Sequence, residues 1–459
     1  MAEKPNEKAV GTSAKVFEKT IEVSEAAAKS VENQEPVKQA RKYWKTLGPG
    51  LTTGSADDDP SGIATYSQTG AKYGYSLLWL APYSFVLMAV VQEICSRIGL
   101  VTGRGLAANI RQLFPKWVLY VCVILLFIAN TFNIGADLGA LSEVTRLFFP
   151  TANYILLVAG FAIFILAMEI FFSYRKYAGY LKWLALVLIL YVISTFFIGN
   201  IDWRTILRDT IIPNLNFTKE QIFLVCGILG TTISPYLFFW ETSQEVEEKI
   251  ADGNTEKECR ESKVGRSEIR RMRIDVWSGM FLSNLAMFFI ITACAATLNV
   301  NGITNIGTAA QAAEALRPLA GNFSYALFAV GILGVGLLGI PVLAGASSYA
   351  ISEAFGWREG LHYKLKQAYA FYGIIILSVI VGMILNFVGL DPIKALIYAA
   401  VLNGIVAPVM MVLIMTVSSK TKLMGEWVNG PTTKIIGWIA TIFMIIIGLA
   451  TIYSIVTGL

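Results

Sequence analysis

The chain has 459 residues, 55% of them hydrophobic and only 15% charged, with a mean hydropathy of +0.59 and a formal net charge of +5. Apolar runs of about 20 residues recur along it, each long enough to cross a bilayer, which excludes an ordinary soluble domain and makes this an all-α polytopic membrane protein. One histidine, five cysteines with no CxxC pair and no GxxxxGK[ST] loop exclude multi-histidine metal chemistry, Ser-His-Asp catalysis and ATP-driven pumping, so neither an enzyme nor a cofactor is expected.

Residues 1–45 stand apart, rich in Lys, Glu, Ala and Ser and without the apolar core of a signal peptide. They predict a cytosolic tail, flexible or weakly helical. The transmembrane domain then runs over 46–459. The first span, about 46–70, is interrupted by Gly54-Ser55-Ala56-Asp57-Asp58-Asp59-Pro60-Ser61-Gly62. A charge inside a span costs roughly 2.5–3.5 kcal/mol on insertion scales, so three adjacent carboxylates need water, a partner or a cation. Asp57 to Asp59 are therefore a candidate cation site.

Further spans are predicted over 75–99, 117–147, 152–172 and 181–199, and the sixth, 219–245, is broken at Thr231-Thr232-Ile233-Ser234-Pro235-Tyr236. Spans over 275–298, 323–352, 370–390, 393–418 and 432–457 bring the number to 11. Five helices separate the two breaks, the spacing of a five-plus-five inverted repeat in which substrate binds at the midplane between unwound helices. Repeat one covers about 46–200, repeat two about 217–418, and the helix at 432–457 is an addition. Each break carries a proline, which removes a backbone donor, so carbonyls near Ala56, Asp59 and Thr231 are free to coordinate an ion.

Lys and Arg concentrate in alternate loops, as with Arg104, Arg111 and Lys116, then Arg175, Lys176 and Lys182, then the charged segment of about 246–273. That bias places the N-terminus in the cytoplasm and, with an odd number of spans, the C-terminus outside. The positive charge thus follows from topology, and no nucleic-acid partner is expected. Within the apolar runs, Glu93 and Glu169 are polar groups able to line a pathway.

The motifs also carry a resemblance. Gly48-Pro49-Gly50 followed by the Asp-Pro break, then Tyr73-Gly74-Tyr75-Ser76-Leu77-Leu78-Trp79, Gly99-Leu100-Val101-Thr102-Gly103-Arg104 and Gly227-Ile228-Leu229-Gly230, resemble the Nramp metal transporters across nearly the whole membrane region. The resemblance implies a LeuT-like fold and transport of Mn²⁺ or Fe²⁺ coupled to protons. It also assigns positions. Asp59 matches the liganding aspartate, Gly62 the amide ligand, Thr231 the alanine whose carbonyl is a ligand and Ser234 the methionine. Tyr236 and Glu241 match two histidines. In the third span Asp137 persists, and the family's glutamate is Ala140.

These departures have a chemical direction. Losing the thioether removes a soft ligand, Gly62 leaves room near the ion, and Mg²⁺ is usually held through one or two carboxylates with several waters retained. The expected function is therefore import of Mg²⁺, with Mn²⁺ also open, by alternating access around Asp59, Ala56, Gly62, Thr231 and Ser234. With the histidines and the glutamate replaced, uncoupled transport is expected, and Asp57, Asp58, Asp137, Tyr236 and Glu241 are pathway or coupling candidates. Which of Asp57 and Asp58 faces the cavity stays open, as does Asp137 as proton carrier or structural partner. Two alternatives stand beside this reading, a proton-coupled Mn²⁺/Fe²⁺ transporter and a LeuT-like transporter of a small organic cation. The expected setting is a monomer in the cell membrane whose partners are the metal substrate and the lipid bilayer.

Overall fold

The computed structural model describes residues 35–457 apart from 200, 215–217, 262, 307–308 and 388–391. The chain divides into Met1–Leu47 and Gly48–Leu459. In the first unit the helix Glu35–Thr46 is described, and the rest of the expected tail, residues 1–34, lies outside the described residues.

In the second unit every regular element among the described residues is helical, as a lipid-embedded chain requires when each backbone N–H and C=O must be satisfied within its own segment. Among the described residues nine helices are long and apolar enough to span a membrane. The shorter apolar helix Tyr369–Leu385 and the broken pair Pro49–Asp57 and Pro60–Tyr73 complete the 11 expected spans. The fifth starts earlier than its apolar run, at Tyr174, and the sixth runs on to Ala251 as a charged helix beyond the predicted end. Two short helices, Leu106–Leu113 and Trp203–Ile211, lie in what the sequence reads as loops.

Burial separates centre from rim. Both halves of the first span are buried through Gly50–Asp57 and Pro60–Ala71, and 89% of the sixth span's apolar window is buried against 28% for the fourth. The centre is held by backbone contact. A Cβ on Gly279, in the seventh span (Arg266–Asn299), would sit 2.0 Å from the Gly50 carbonyl oxygen, and one on Gly54 would sit 2.3 Å from the Gly279 carbonyl carbon. The half-helix Pro49–Asp57 therefore lies directly on the seventh span. Asp275 of that span caps it, accepting from the backbone N–H groups of Gly48 (2.7 Å), Gly50 (2.8 Å) and Leu51 (3.1 Å), donors that a helix start leaves without partners.

Candidate metal centre

The first span stops at Asp58 and restarts at Pro60, and the sixth stops at Ile233 and restarts at Pro235. Proline at the first position of each second half costs no hydrogen bond, because that N–H would have no helical acceptor. Asp59 is the N-cap of Pro60–Tyr73. Its Oδ1 accepts from the Gly62 N–H at 2.9 Å and from the Ser61 hydroxyl. Its Oδ2 accepts from Asn133 Nδ2 at 2.7 Å, in the third span (Lys116–Phe148), and lies 3.3 Å from the Tyr236 hydroxyl. That same hydroxyl donates to the Ala56 carbonyl at 2.9 Å. Asp59, Ala56, Gly62 and Tyr236 are thus brought together, with Asn133 completing the ring. Gly339 of the eighth span (Gly321–Phe355) closes the remaining side, where a Cβ would come within 3.0 Å of the Asp59 Cβ.

The other expected residues are placed differently. Ser234 donates to the Gly230 carbonyl at 2.8 Å and also reaches the Thr231 carbonyl, so its hydroxyl is turned onto its own span. Thr231 Oγ1 donates to the Ile228 carbonyl at 2.9 Å and lies 3.2 Å from the Tyr66 hydroxyl. Asp137, one turn beyond Asn133 on the third span, is fully buried and faces the Ser61 backbone and the charge of Asp59. Glu241 accepts from the Thr53 hydroxyl, while Asp57 accepts from Ser283 at 3.1 Å and neither oxygen of Asp58 has a hydrogen-bond partner. No ion pair among the described residues involves Asp57, Asp58 or Asp59. Among the described residues no group of three or more His, Cys, Asp or Glu side chains is arranged to hold a metal, so a cation at Asp59 would take carbonyls, hydroxyls, amides and water for its other ligands.

The description "Natural resistance-associated macrophage protein-like", that of the Nramp family, fits residues 50–454, nearly the whole membrane unit. The chain belongs to the Nramp family. It is 25% identical over 426 residues to a divalent metal cation transporter MntH of Caldanaerobacter subterraneus, covering 92% of this chain and 95% of that one. It is 27% identical over 417 residues to a transporter of the same name from Yersinia pestis, covering 88% and 93%. In fold it is similar to the manganese transporter of Eremococcus coleocola, with a TM-score of 0.68 at 19% identity over 92% of this chain and 88% of that one. The nucleobase-cation-symport-1 family transporter Mhp1 also superposes, with a TM-score of 0.55 at 16% identity, covering 90% and 93%. The LeuT-like architecture of this Nramp chain is therefore established.

Physical reasons for the Nramp motif glycines are visible here. Gly74 and Gly103 end their helices at φ of +57° and +59°, the left-handed region where a side chain is strained. A Cβ on Gly99 would lie 2.1 Å from the Thr242 carbonyl oxygen of the sixth span. Sequence reasoning missed Asn133, Ser61 and Ser283. Asn133 had a signal, since it stands four residues before Asp137 in an apolar run and so shares its helix face.

Proposed function

We propose that this Nramp protein moves divalent metal cations across the membrane, Mn²⁺ and Fe²⁺ foremost, by alternating access about the break at Asp59. One observation carries the reading. Asp59 is buried at an unwound point in the centre of the bundle, with no ion pair among the described residues and with the Ala56 carbonyl beside it. A buried carboxylate without a cation is costly, whereas one facing carbonyls and amides is a hard-cation ligand. The curated relatives are divalent metal cation transporters and the fold neighbour is a manganese transporter, which supports Mn²⁺. Asp59 and Ala56 would be ligands, with Gly62 and the backbone of Thr231 and Ser234 lining the ion's surroundings as the two spans rearrange, the Ser234 hydroxyl staying on its own span. Coupling to protons fits this reading, with the buried carboxylates of Asp137 and Glu241 as its candidates. The N-terminus lies in the cytoplasm, the C-terminus outside, and the chain works as a monomer.

Mg²⁺ without proton coupling is the second reading, favoured by one feature of the site. Among the described residues the side chains that hydrogen-bond Asp59, those of Ser61, Asn133 and Tyr236, offer hydroxyl and amide groups and neither thioether nor imidazole, which suits hard cations. Proteoliposomes containing the full chain separate the two. The first reading expects Mn²⁺ uptake, strong competition by Cd²⁺ and a metal-dependent proton flux. Mg²⁺ uptake indifferent to Cd²⁺, with no change in lumenal pH, would replace it with the second. Asp59→Ala should bring flux to the level of protein-free vesicles under either, and full flux in that variant would reject the site.

A further inference from the structure

The helix Glu35–Thr46 lies outside the transport site, and its residues are laid out for a surface. None of them is buried. At 100° of turn per residue Pro36, Val37, Ala40, Tyr43 and Trp44 fall within one arc of about 120°, while Lys38, Arg41, Lys42 and Lys45 fall within another of about 100° on the far side. Glu35 is the one acidic residue of the helix, 3.6 Å from Lys38, so four basic groups stand against one acidic. Chain length limits where this surface can lie. The half-helices Pro49–Asp57 and Pro60–Tyr73 have 9 and 14 residues, about 35 Å of helix at 1.5 Å per residue, which just crosses the roughly 30 Å hydrocarbon layer and sets Pro49 at its edge. Only Leu47 and Gly48 separate Thr46 from Pro49, so whatever direction the basic helix takes, its end stays within about 11 Å of that edge.

We propose that Glu35–Thr46 is a docking surface for anionic lipid, the headgroup layer of the leaflet at which the first span begins. The basic arc meets the phosphates, with the long Lys and Arg stems lying along the surface, and the Tyr43 and Trp44 rings enter the boundary between headgroup and acyl chain, where amphipathic aromatic side chains are favoured. Basic groups clustered beside a spanning helix are the chemistry that attracts an anionic leaflet. An acidic protein would match the four charges but would give the aromatic arc no part in binding, although the bilayer lies within reach of it. Docking also ties the half-helix that carries Ala56 to the lipid surface, through a link of two residues.

This surface goes beyond the metal reading and does not depend on which ion is carried, so its test reads position and not flux. The five native cysteines are buried, which lets an environment-sensitive fluorophore on Ala40→Cys or on Gln39→Cys report the helix alone, the first from the apolar arc and the second from outside both arcs. The full chain is placed in nanodiscs of phosphatidylcholine alone and of phosphatidylcholine mixed with phosphatidylglycerol. The expected result is a blue-shifted emission from position 40 that grows with the phosphatidylglycerol fraction and shrinks in about 1 M NaCl, with a clearly smaller shift at position 39. At about fivefold per basic residue near an anionic surface, the double variant Lys38→Gln, Lys42→Gln should lower the ratio of docked to free helix about twenty-five-fold. Both lysines are exposed, so the fold is kept. Emission at position 40 that is the same in both kinds of disc, or that the double variant leaves unmoved, would overturn the proposal. An equal shift at positions 39 and 40 would overturn it too, since the helix would then be enclosed on all sides and not laid on lipid. A position 40 that stays water-like in every disc and shifts only when polyglutamate is added would assign the surface to an acidic protein instead.

Discussion

At the break of the first span Asp59 leaves its helix and ties outward, to Asn133 and Tyr236 on two other spans, whereas at the break of the sixth Ser234 folds its hydroxyl back onto the Gly230 and Thr231 carbonyls of its own span. Both breaks use the same backbone device, a proline opening the second half. Their side chains do opposite things with it. The first leaves carboxylate oxygens unpartnered in the protein interior, and the sixth satisfies itself. A self-satisfied break supplies shape and a hinge point; an unsatisfied one supplies a demand for charge that only a bound cation or proton can meet. The anchors of the two spans differ in the same way. Asp275 holds the first by backbone N–H groups alone. The sixth is held near its end by Glu247, which accepts from the Tyr349 hydroxyl (2.7 Å), the Leu361 N–H (2.8 Å) and His362 Nδ1 (2.9 Å).

The comparison breaks most severely if the first half-helix can be lifted off its support. Gly279→Ala would put a Cβ 2.0 Å from the Gly50 carbonyl oxygen, with backbone on both sides and no flexible side chain to give way. Overpacking of this kind typically costs about 1–3 kcal/mol. The expected outcome is a lower melting temperature in detergent together with most of the metal flux lost. Normal melting and normal flux would show that Pro49–Asp57 is not held by that contact.

Next in size is the link between the two breaks. Tyr236 joins Asp59 to the Ala56 carbonyl, and Tyr236→Phe removes that hydroxyl while keeping the ring. A hydrogen bond to a charged group is worth about 1.5–3 kcal/mol, so the apparent affinity for Mn²⁺ should fall at least about tenfold in uptake assays, with the fold intact. An unchanged concentration dependence would detach Tyr236 from the ion.

Much of this arrangement was legible in the chain itself, for reasons that differ by residue. Span positions follow from apolar runs, since lipid leaves no alternative to a hydrogen-bonded helix. The breaks follow from proline and three carboxylates in an apolar setting. Direction was not legible. Asp57, Asp58 and Asp59 are consecutive, yet a helix stop and an extended residue turn them toward different spans, and no pattern of residue types encodes that turn. The resemblance sets Ser234 facing the ion because of what it replaces, but from the break its short hydroxyl reaches back three and four residues to carbonyls of the preceding half-helix, a local bond serine readily makes. Glu93 was a pathway candidate for being acidic in an apolar run; it is paired with Arg273 at 2.9 Å and accepts from the Trp277 indole at 2.8 Å. Pairing across 180 residues lies beyond any local signal.

A smaller effect distinguishes the two anchors. Glu256 accepts from the Tyr363 hydroxyl at 2.6 Å and faces His362 Nε2 at 3.7 Å, so the single histidine sits between two glutamates beside a cavity of about 580 Å³. Burial lowers the His362 pKa, but the hydrogen bond to Glu247 and the charge of the nearby Glu256 outweigh it and raise the value to about 9. The neighbouring His362, with the Tyr363 hydroxyl, in turn lowers Glu256 to about 2. A raised imidazole contributes stability that is fully present below its ordinary value of about 6.5 and is lost as pH rises through about 9. Thermal stability of the full chain should therefore decline between those limits, modestly because the pair is partly solvated. His362→Ala should flatten the decline. A variant that keeps the same pH profile would show the anchor is not electrostatic.

The smallest effect is expected at the second break, and it is the sharpest test of the contrast. Ser234→Ala deletes a hydroxyl whose hydrogen bonds are to the Gly230 and Thr231 carbonyls. A neutral hydrogen bond of this kind is worth about 1 kcal/mol net, and its loss falls on local stability rather than on the ion. Mn²⁺ uptake should stay within about twofold of the unmodified chain, and the preference among Mn²⁺, Mg²⁺ and Cd²⁺ should not move. A ligand role would give a different signature, because removing one oxygen donor alters the competition between hard and soft ions more than it alters the rate. If selectivity shifts while melting temperature does not, the hydroxyl turns toward the cation at some stage of the cycle. The sixth span's break would then be chemical as well as mechanical.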